Sequence, residues 1–300
     1  MALNLKTFST RAITATVFVA VLLLCICFNY ISFSALFFVV SLWGLHEFYQ
    51  LSEKLGAKPY RITGLLVSGL LYLCSWFLNT NLTYYIPVNI ELVLPYLYLL
   101  FFFILFIVGL FDSKPNSVLN SVYTISGIVY AVMPFCCLLA IPCIDKSFIY
   151  SGSFTGNWYD DVAPYNYHYV LGVILLIWSS DVCAYLVGSF IGKHKLYERI
   201  SPGKTWEGSI GAAILTVGAA FLISTWYPEL ALIHWIVISV LVSVLGTIGD
   251  LVESMLKRQA GVKDSGKIMP GHGGILDRFD SLLFVSPFIY SYLVLVTYFG

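Results

Sequence analysis

Long apolar blocks dominate this chain, and its polar residues are confined to segments between them. A helix of about 20 apolar residues crosses a hydrocarbon core of roughly 30 Å. Nine blocks approach or exceed that length: about 12–29, 31–51, 62–79, 92–111, 118–144, 167–190, 209–227, 231–250 and 282–299. The short alternating segments of a membrane β-barrel are absent. The pattern predicts an all-α integral membrane protein, a polytopic bundle of about nine transmembrane helices. Two element boundaries carry local signals. Ser201-Pro202 reads as a helix start, with Ser as N-cap and Pro at the first helical position. The eighth helix is expected to run on past its apolar block, which puts Asp250, Glu253 or Ser254, and Lys257 on one face.

Composition agrees with a membrane protein: 59% of residues are hydrophobic, 17% aromatic and 11% charged, with a mean hydropathy of +0.86, outside the range of ordinary soluble domains. A net charge of zero argues against nucleic-acid binding, which favours a basic domain. The charge is nonetheless unevenly placed. With the N-terminus cytoplasmic, nine crossings leave 15 of the 16 Lys and Arg residues on the inner side, Lys146 being the exception. The first block follows Lys6 and Arg11 but lacks a small-x-small cleavage site, so it is expected to be a retained anchor. The seven cysteines form no CxxC pair and are expected to be small buried hydrophobes.

Polar content divides the chain near residue 165. Region 1–165 carries about five helices and ends in an outer-face loop, 145–166, whose Trp158, Asp160 and Asp161 suit an interfacial cap. Region 166–300 admits polar residues into its spans and has two long cytoplasmic loops, 191–208 and 251–281. No internal repeat is visible.

The second loop concentrates charge in a chain that otherwise has little. Between Ser254 and Asp280 lie Lys257, Arg258, Lys263, Lys267 and Arg278, the carboxylates Asp264, Asp277 and Asp280, and His272 in a run of glycines. Basic groups and glycine amides suit a polyphosphate, and carboxylates suit the cation that accompanies it. Asp250 offers one Mg²⁺ ligand, with Asp277 or Asp280 as the other. In the sixth block, Asp181 shares a helical face with Tyr185; an aspartate at membrane depth marks a functional cavity or is satisfied by a buried hydrogen bond to that tyrosine. In the first loop, Gly203-Lys204-Thr205 is not a P-loop, because Glu198 stands where the leading glycine belongs and no strand precedes it. A helix start at Ser201, with Lys204 beside it, would suit phosphate. An ion transporter is disfavoured, since charge gathers in loops and not across the bilayer midplane.

At these residues the chain closely resembles the phosphatidate cytidylyltransferases, or CDP-diglyceride synthases. Their signature runs Ser-x-x-Lys-Arg, four residues, Lys-Asp-x-Gly, then Pro-Gly-His-Gly-Gly-x-x-Asp-Arg-x-Asp, and it is reproduced from Ser254 to Asp280. Blocks around Asp181, Lys204 and Asp250 match as well, so the likeness is strong over roughly 170–285; before it, only Glu47-Phe-Tyr49 looks similar. The resemblance implies a polar cavity near the cytoplasmic face and a reaction in which CTP and phosphatidate give CDP-diacylglycerol and diphosphate. It implies Mg²⁺ as cofactor, with a second metal ion, monovalent or divalent, left open, and a homodimer; the cytoplasmic-facing topology suits a bacterial inner membrane. Metal ligands carry over to Asp250 and Asp277. The expected catalytic set is Asp250, Asp277, Lys263, Arg278 and Asp280. Substrate-binding candidates are Asp181, Ser201, Lys204, Thr205, Glu207, Ser254, Lys257, Arg258, Asp264 and His272. A polyprenol kinase is the alternative enzyme; the Asp-Gly-x-x-Ala-Arg opening of CDP-alcohol phosphotransferases is absent.

Overall fold

The computed structural model describes residues 5–79, 90–112, 116–144, 165–269, 271 and 273–299. The expected outer cap with Trp158, Asp160 and Asp161, together with His272, lies outside the described residues. Helices follow the apolar blocks: α1 (Leu5–Phe28), α2 (Tyr30–Lys54), α3 (Arg61–Leu78), α4 (Ile90–Leu110), α5 (Ser117–Ala131), α6 (Met133–Ala140), α7 (Tyr167–Ile191), α8 (Trp206–Trp226), α9 (Leu232–Gln259) and α10 (Leu276–Phe299). Among the described residues, seven helical stretches are long and apolar enough to cross a membrane, α5 and α6 counting as one through Cys143. α1 and α4 contribute shorter apolar stretches, Ala12–Phe28 and Leu99–Leu110. Large apolar side chains such as Leu24, Ile62, Leu66, Phe190 and Ile214 are exposed, as lipid-facing helix surfaces require. The chain is a multi-pass membrane protein.

Three expectations are corrected. Ser201-Pro202 does not start a helix. Ser201–Thr205 is strand β2, paired antiparallel with β1 (Lys195–Tyr197), so a small hairpin interrupts the helices. Helix α8 instead begins after Thr205, whose side chain caps the Gly208 amide at 3.2 Å. The last helix starts at Leu276, six residues before the apolar block, because side-chain acceptors take up the amides at its start. Of the cysteines, Cys27 is exposed and the other six are half-buried.

The chain forms two compact units, 1–140 with 256–279, and 141–255 with 280–300. The expected boundary near 165 followed polar content; compactness groups the residues otherwise. The first unit is centred on Phe279, whose ring meets Phe18, Phe37 and Phe135 at centroid distances of 5.7–5.9 Å and fixes the first turn of α10. Nearby, the Tyr49 hydroxyl donates to the Thr124 carbonyl at 3.1 Å and the Tyr72 hydroxyl to that of Ser34 at 2.8 Å, tying α2 to α5 and α3. In the second unit, α7 and α8 lie close because small residues face each other, Gly188 against Gly208 and Gly211 against Val187. The buried ring of Trp235 fills the space above Gly172.

Candidate active site

In the second unit, carboxylates collect where the apolar rows of α7, α9 and α10 give way to polar residues. Asp250, Glu253 and Asp280 each offer an oxygen within 4.8 Å of the others. They come from i and i+3 of α9 and from the start of the α10 segment in this unit. The Lys204 ammonium reaches Asp250 Oδ2 at 2.5 Å, and its second contact is the Thr247 carbonyl at 3.4 Å. Strand β2 therefore serves to deliver one lysine to a carboxylate cluster. The Ser254 hydroxyl donates to Asp250 Oδ1 at 3.2 Å, and the Ser281 amide to Asp280 Oδ1 at 2.6 Å. Asp181, exposed on α7, lies near enough to feel both Lys204 and Asp250. Tyr185 is 75% exposed, so the buried Asp–Tyr alternative does not hold.

Opposed charge and close oxygens suit a hard cation. Three carboxylates with one ammonium leave excess negative charge, and every donor is oxygen, the set that Mg²⁺ or Ca²⁺ takes. The cluster could hold one metal ion.

The hairpin is braced independently. Glu207, in the first turn of α8, accepts from the Lys193 amide at 3.1 Å and from the His194 amide, and it contacts His194 Nδ1 at 2.6 Å. Thr205 and Glu207, both expected to bind substrate, thus shape the turn that presents Lys204. Ser201 pairs with Tyr197 at the far end of the hairpin.

The first unit holds a second charged group. Lys257 Nζ lies 2.6 Å from Asp277 Oδ1, with only 11% and 8% of the two side chains exposed. Asp277 Oδ2 accepts from the Gly274 amide at 2.7 Å, the Ser265 amide at 2.8 Å and the Ser265 hydroxyl at 2.9 Å. Helix α9 ends just before this loop through Gly261, whose φ of 69° lets the Val262 amide return to the Lys257 carbonyl at 2.9 Å. Arg258, Lys263, Asp264 and Arg278 lie at the surface. The residues leave Asp277 or Asp280 as the partner of Asp250 and the resemblance implies Asp277; within the second unit Asp250 gathers with Glu253 and Asp280, and within the first Asp277 contacts Lys257.

Glu47 was missed as a site residue. It is 2% exposed on α2, and its Oε2 accepts from the Ser265 hydroxyl at 2.9 Å and the Leu276 amide at 3.0 Å, its Oε1 from the Ile275 amide at 3.0 Å. Gly274 packs so closely that a Cβ there would collide with this carboxylate and with Ser265. Glu47 therefore caps the start of α10 from another helix. Its signal was an acidic residue inside a long apolar block, where a charge needs a partner.

These features define a polytopic membrane protein with a cation-competent carboxylate cluster and a lysine bonded into it. The chain belongs to the cytidylyltransferase family, whose model matches residues 9–296. It is similar to the phosphatidate cytidylyltransferase of Bacillus subtilis (strain 168), with 49% identity over 133 residues, 44% of this chain and 49% of that protein. Similar matches are the enzymes so named from Staphylococcus aureus (strain COL), 50% identical over 126 residues, and Staphylococcus saprophyticus, 47% over 123; each covers 41% of this chain and 47% of the relative. The chain thus spans about half the length of the curated relatives it matches.

Proposed function

We propose that this protein transfers a cytidylyl group from CTP to phosphatidate, giving CDP-diacylglycerol and diphosphate. The relatives' shared name points to this reaction, and one observation carries the reading in this chain: Lys204 bonded to Asp250 within reach of Glu253 and Asp280, a combination suited to a metal-bound triphosphate. Asp250, Glu253 and Asp280 would hold Mg²⁺, which when bound would neutralise charge on the polyphosphate. An oxygen of the lipid phosphate forms a bond to the α-phosphorus, and the bond from that phosphorus to the β-bridging oxygen breaks in line. The phosphomonoester has a second pKa of about 6, so it is largely dianionic near neutral pH and needs no strong general base. What remains for the protein is positioning and charge compensation. Lys204 supplies positive charge at the cluster. Lys257, oriented by Asp277, and the surface residues Lys263, Arg258 and Arg278 supply it for the lipid phosphate and the departing diphosphate. The charge asymmetry of the loops supports a cytoplasmic face for this chemistry, and the relatives' bacterial sources are consistent with a bacterial inner (cytoplasmic) membrane. The homodimer implied by the resemblance belongs to the same proposal.

A mixed-micelle assay with phosphatidate, α-labelled CTP and Mg²⁺ tests it. Label should appear in an organic-extractable liponucleotide and vanish with EDTA; Asp250→Asn should lower the rate by about a hundredfold or more, the scale of losing one preorganised electrostatic contact. A folded, lipid-supplied preparation that labels no lipid would overturn the assignment.

A further inference from the structure

Beside the last turns of α2, within the first unit, lies a cleft of about 670 Å³, inside the range of small-molecule sites. Lys54 faces it from α2, and Lys263 and Lys267 from the loop that follows α9. Two acidic residues share the lining, Glu47 and Asp264. Both Glu47 oxygens are engaged by Ser265, Ile275 and Leu276 rather than by a lysine, and three lysines against two carboxylates leave the lining net positive. Farther back along α2 the lining is apolar: Trp43, 44% exposed, stands there, while Ile268, 41% exposed, follows Lys267 in the loop. From Trp43 to Lys54, eleven residues along α2 span about 16 Å. The walls therefore grade from an indole, the side chain that favours the membrane interface, to lysines at the helix end.

We propose that this cleft binds the phosphomonoester headgroup of the lipid substrate, with Lys54 and Lys267 as specificity-determining residues. This rests on the cytidylyl-transfer reading and deepens it, because it assigns each substrate its own recognition chemistry. A cleft beside a membrane-spanning helix, with an apolar end and a cationic end, matches an amphiphile. A nucleotide triphosphate, whose base would stack on the Trp43 indole, is the competing occupant that the test excludes. Lys263 and Asp264, part of the family signature, face this same cleft, whereas α2 lies outside the strongly matching segment and supplies residues for which the sequence offered no role. The phosphate chemistry is shared by diphosphate and by CTP, so the test must separate the sources.

Binding is measured without turnover, by ³¹P NMR titration of the full-length protein in detergent micelles. The probes are dihexanoyl phosphatidate, CTP, inorganic diphosphate and, as a lipid lacking the monoester, dihexanoyl phosphatidylcholine. The expected result is that Lys54→Ala with Lys267→Ala weakens phosphatidate binding at least about tenfold, as loss of charged hydrogen bonds predicts. CTP affinity should not change, and Lys54→Arg with Lys267→Arg should restore most of the loss. In the assay, KM for phosphatidate should rise by a similar factor while KM for CTP and kcat at saturating lipid hold. Both lysines are exposed, so folding is not at stake. Unchanged phosphatidate binding overturns the proposal, and so does an equal loss for CTP or diphosphate, which reassigns the lysines to the nucleotide. Lysine-dependent phosphatidate binding in a protein that never labels lipid would sink the transfer reaction and leave the cleft standing.

Discussion

Glu47 shows what a single buried residue does in this fold. Its two oxygens serve three donors, and two of those are backbone amides at the start of α10 that have no partner inside the helix. Only a group that accepts at both ends satisfies them. Glu47→Gln keeps the shape but turns an NH₂ toward one N–H, so it should destabilise, though less than Glu47→Ala, which removes both acceptors. Each buried donor left without an acceptor costs about 1–3 kcal/mol. Both variants should lower the thermal midpoint in detergent, and Glu47→Gln matching wild type would refute the account. Metal binding separates the remaining carboxylates. Glu253→Gln and Asp280→Asn should raise the Mg²⁺ concentration needed for half-maximal activity. Asp277→Asn should lose activity by releasing Lys257, with the Mg²⁺ requirement little changed; a requirement raised as far as that of Asp250→Asn would put Asp277 among the ligands. Asp250 and Lys204 were legible in the sequence because charge is scarce here. Glu47 was not, since its partners lie 218–229 residues away and no local pattern announces them.

Among the elements, apolar length made the helices visible, while their ends depended on contacts the sequence does not display. Ser201-Pro202 has the composition of a helix start, yet pairing with Lys195–Tyr197 makes it a strand, and Thr205 four residues on becomes the cap. The onset of α10 was missed for a related reason: its first turn is polar, and Glu47 supplies its capping from α2. Packing of α7 on α8 leads to a paired prediction with opposite signs. At Gly208 a Cβ would stand 2.9 Å from the Ala184 carbonyl oxygen and 3.1 Å from the Gly188 Cα, backbone that cannot easily yield. Gly208→Val should therefore destabilise by about 1–3 kcal/mol through overpacking. At Gly218, exposed on the same helix, nothing lies within 4 Å. There Gly218→Ala should stabilise by about 0.5–1 kcal/mol from helix propensity alone. Thermal unfolding of both variants in one detergent checks the pair, and a stabilised Gly208→Val would mean the helices are held apart by something other than these small residues.

For the whole molecule, the proposed orientation rests on charge that the net value conceals. Zero net charge is compatible with any arrangement of 16 basic and 16 acidic residues. What selects one is that cationic loops are retained on the cytoplasmic side during insertion, while acidic residues weigh little. Lys195 on the hairpin and Lys263 on the loop after α9 both lie in segments rich in Lys and Arg, and both are exposed. A membrane-impermeant maleimide should thus label a cysteine at 195 or at 263, in a background with the seven native cysteines replaced, only in inverted vesicles. Each position is tested alone, so one misplaced crossing would show as a single site reversing. Labelling of either in right-side-out vesicles would break the positive-inside assignment for that segment. It would also remove its lysines from any site supplied with CTP from the cytoplasm, because the nucleotide cannot reach across the bilayer.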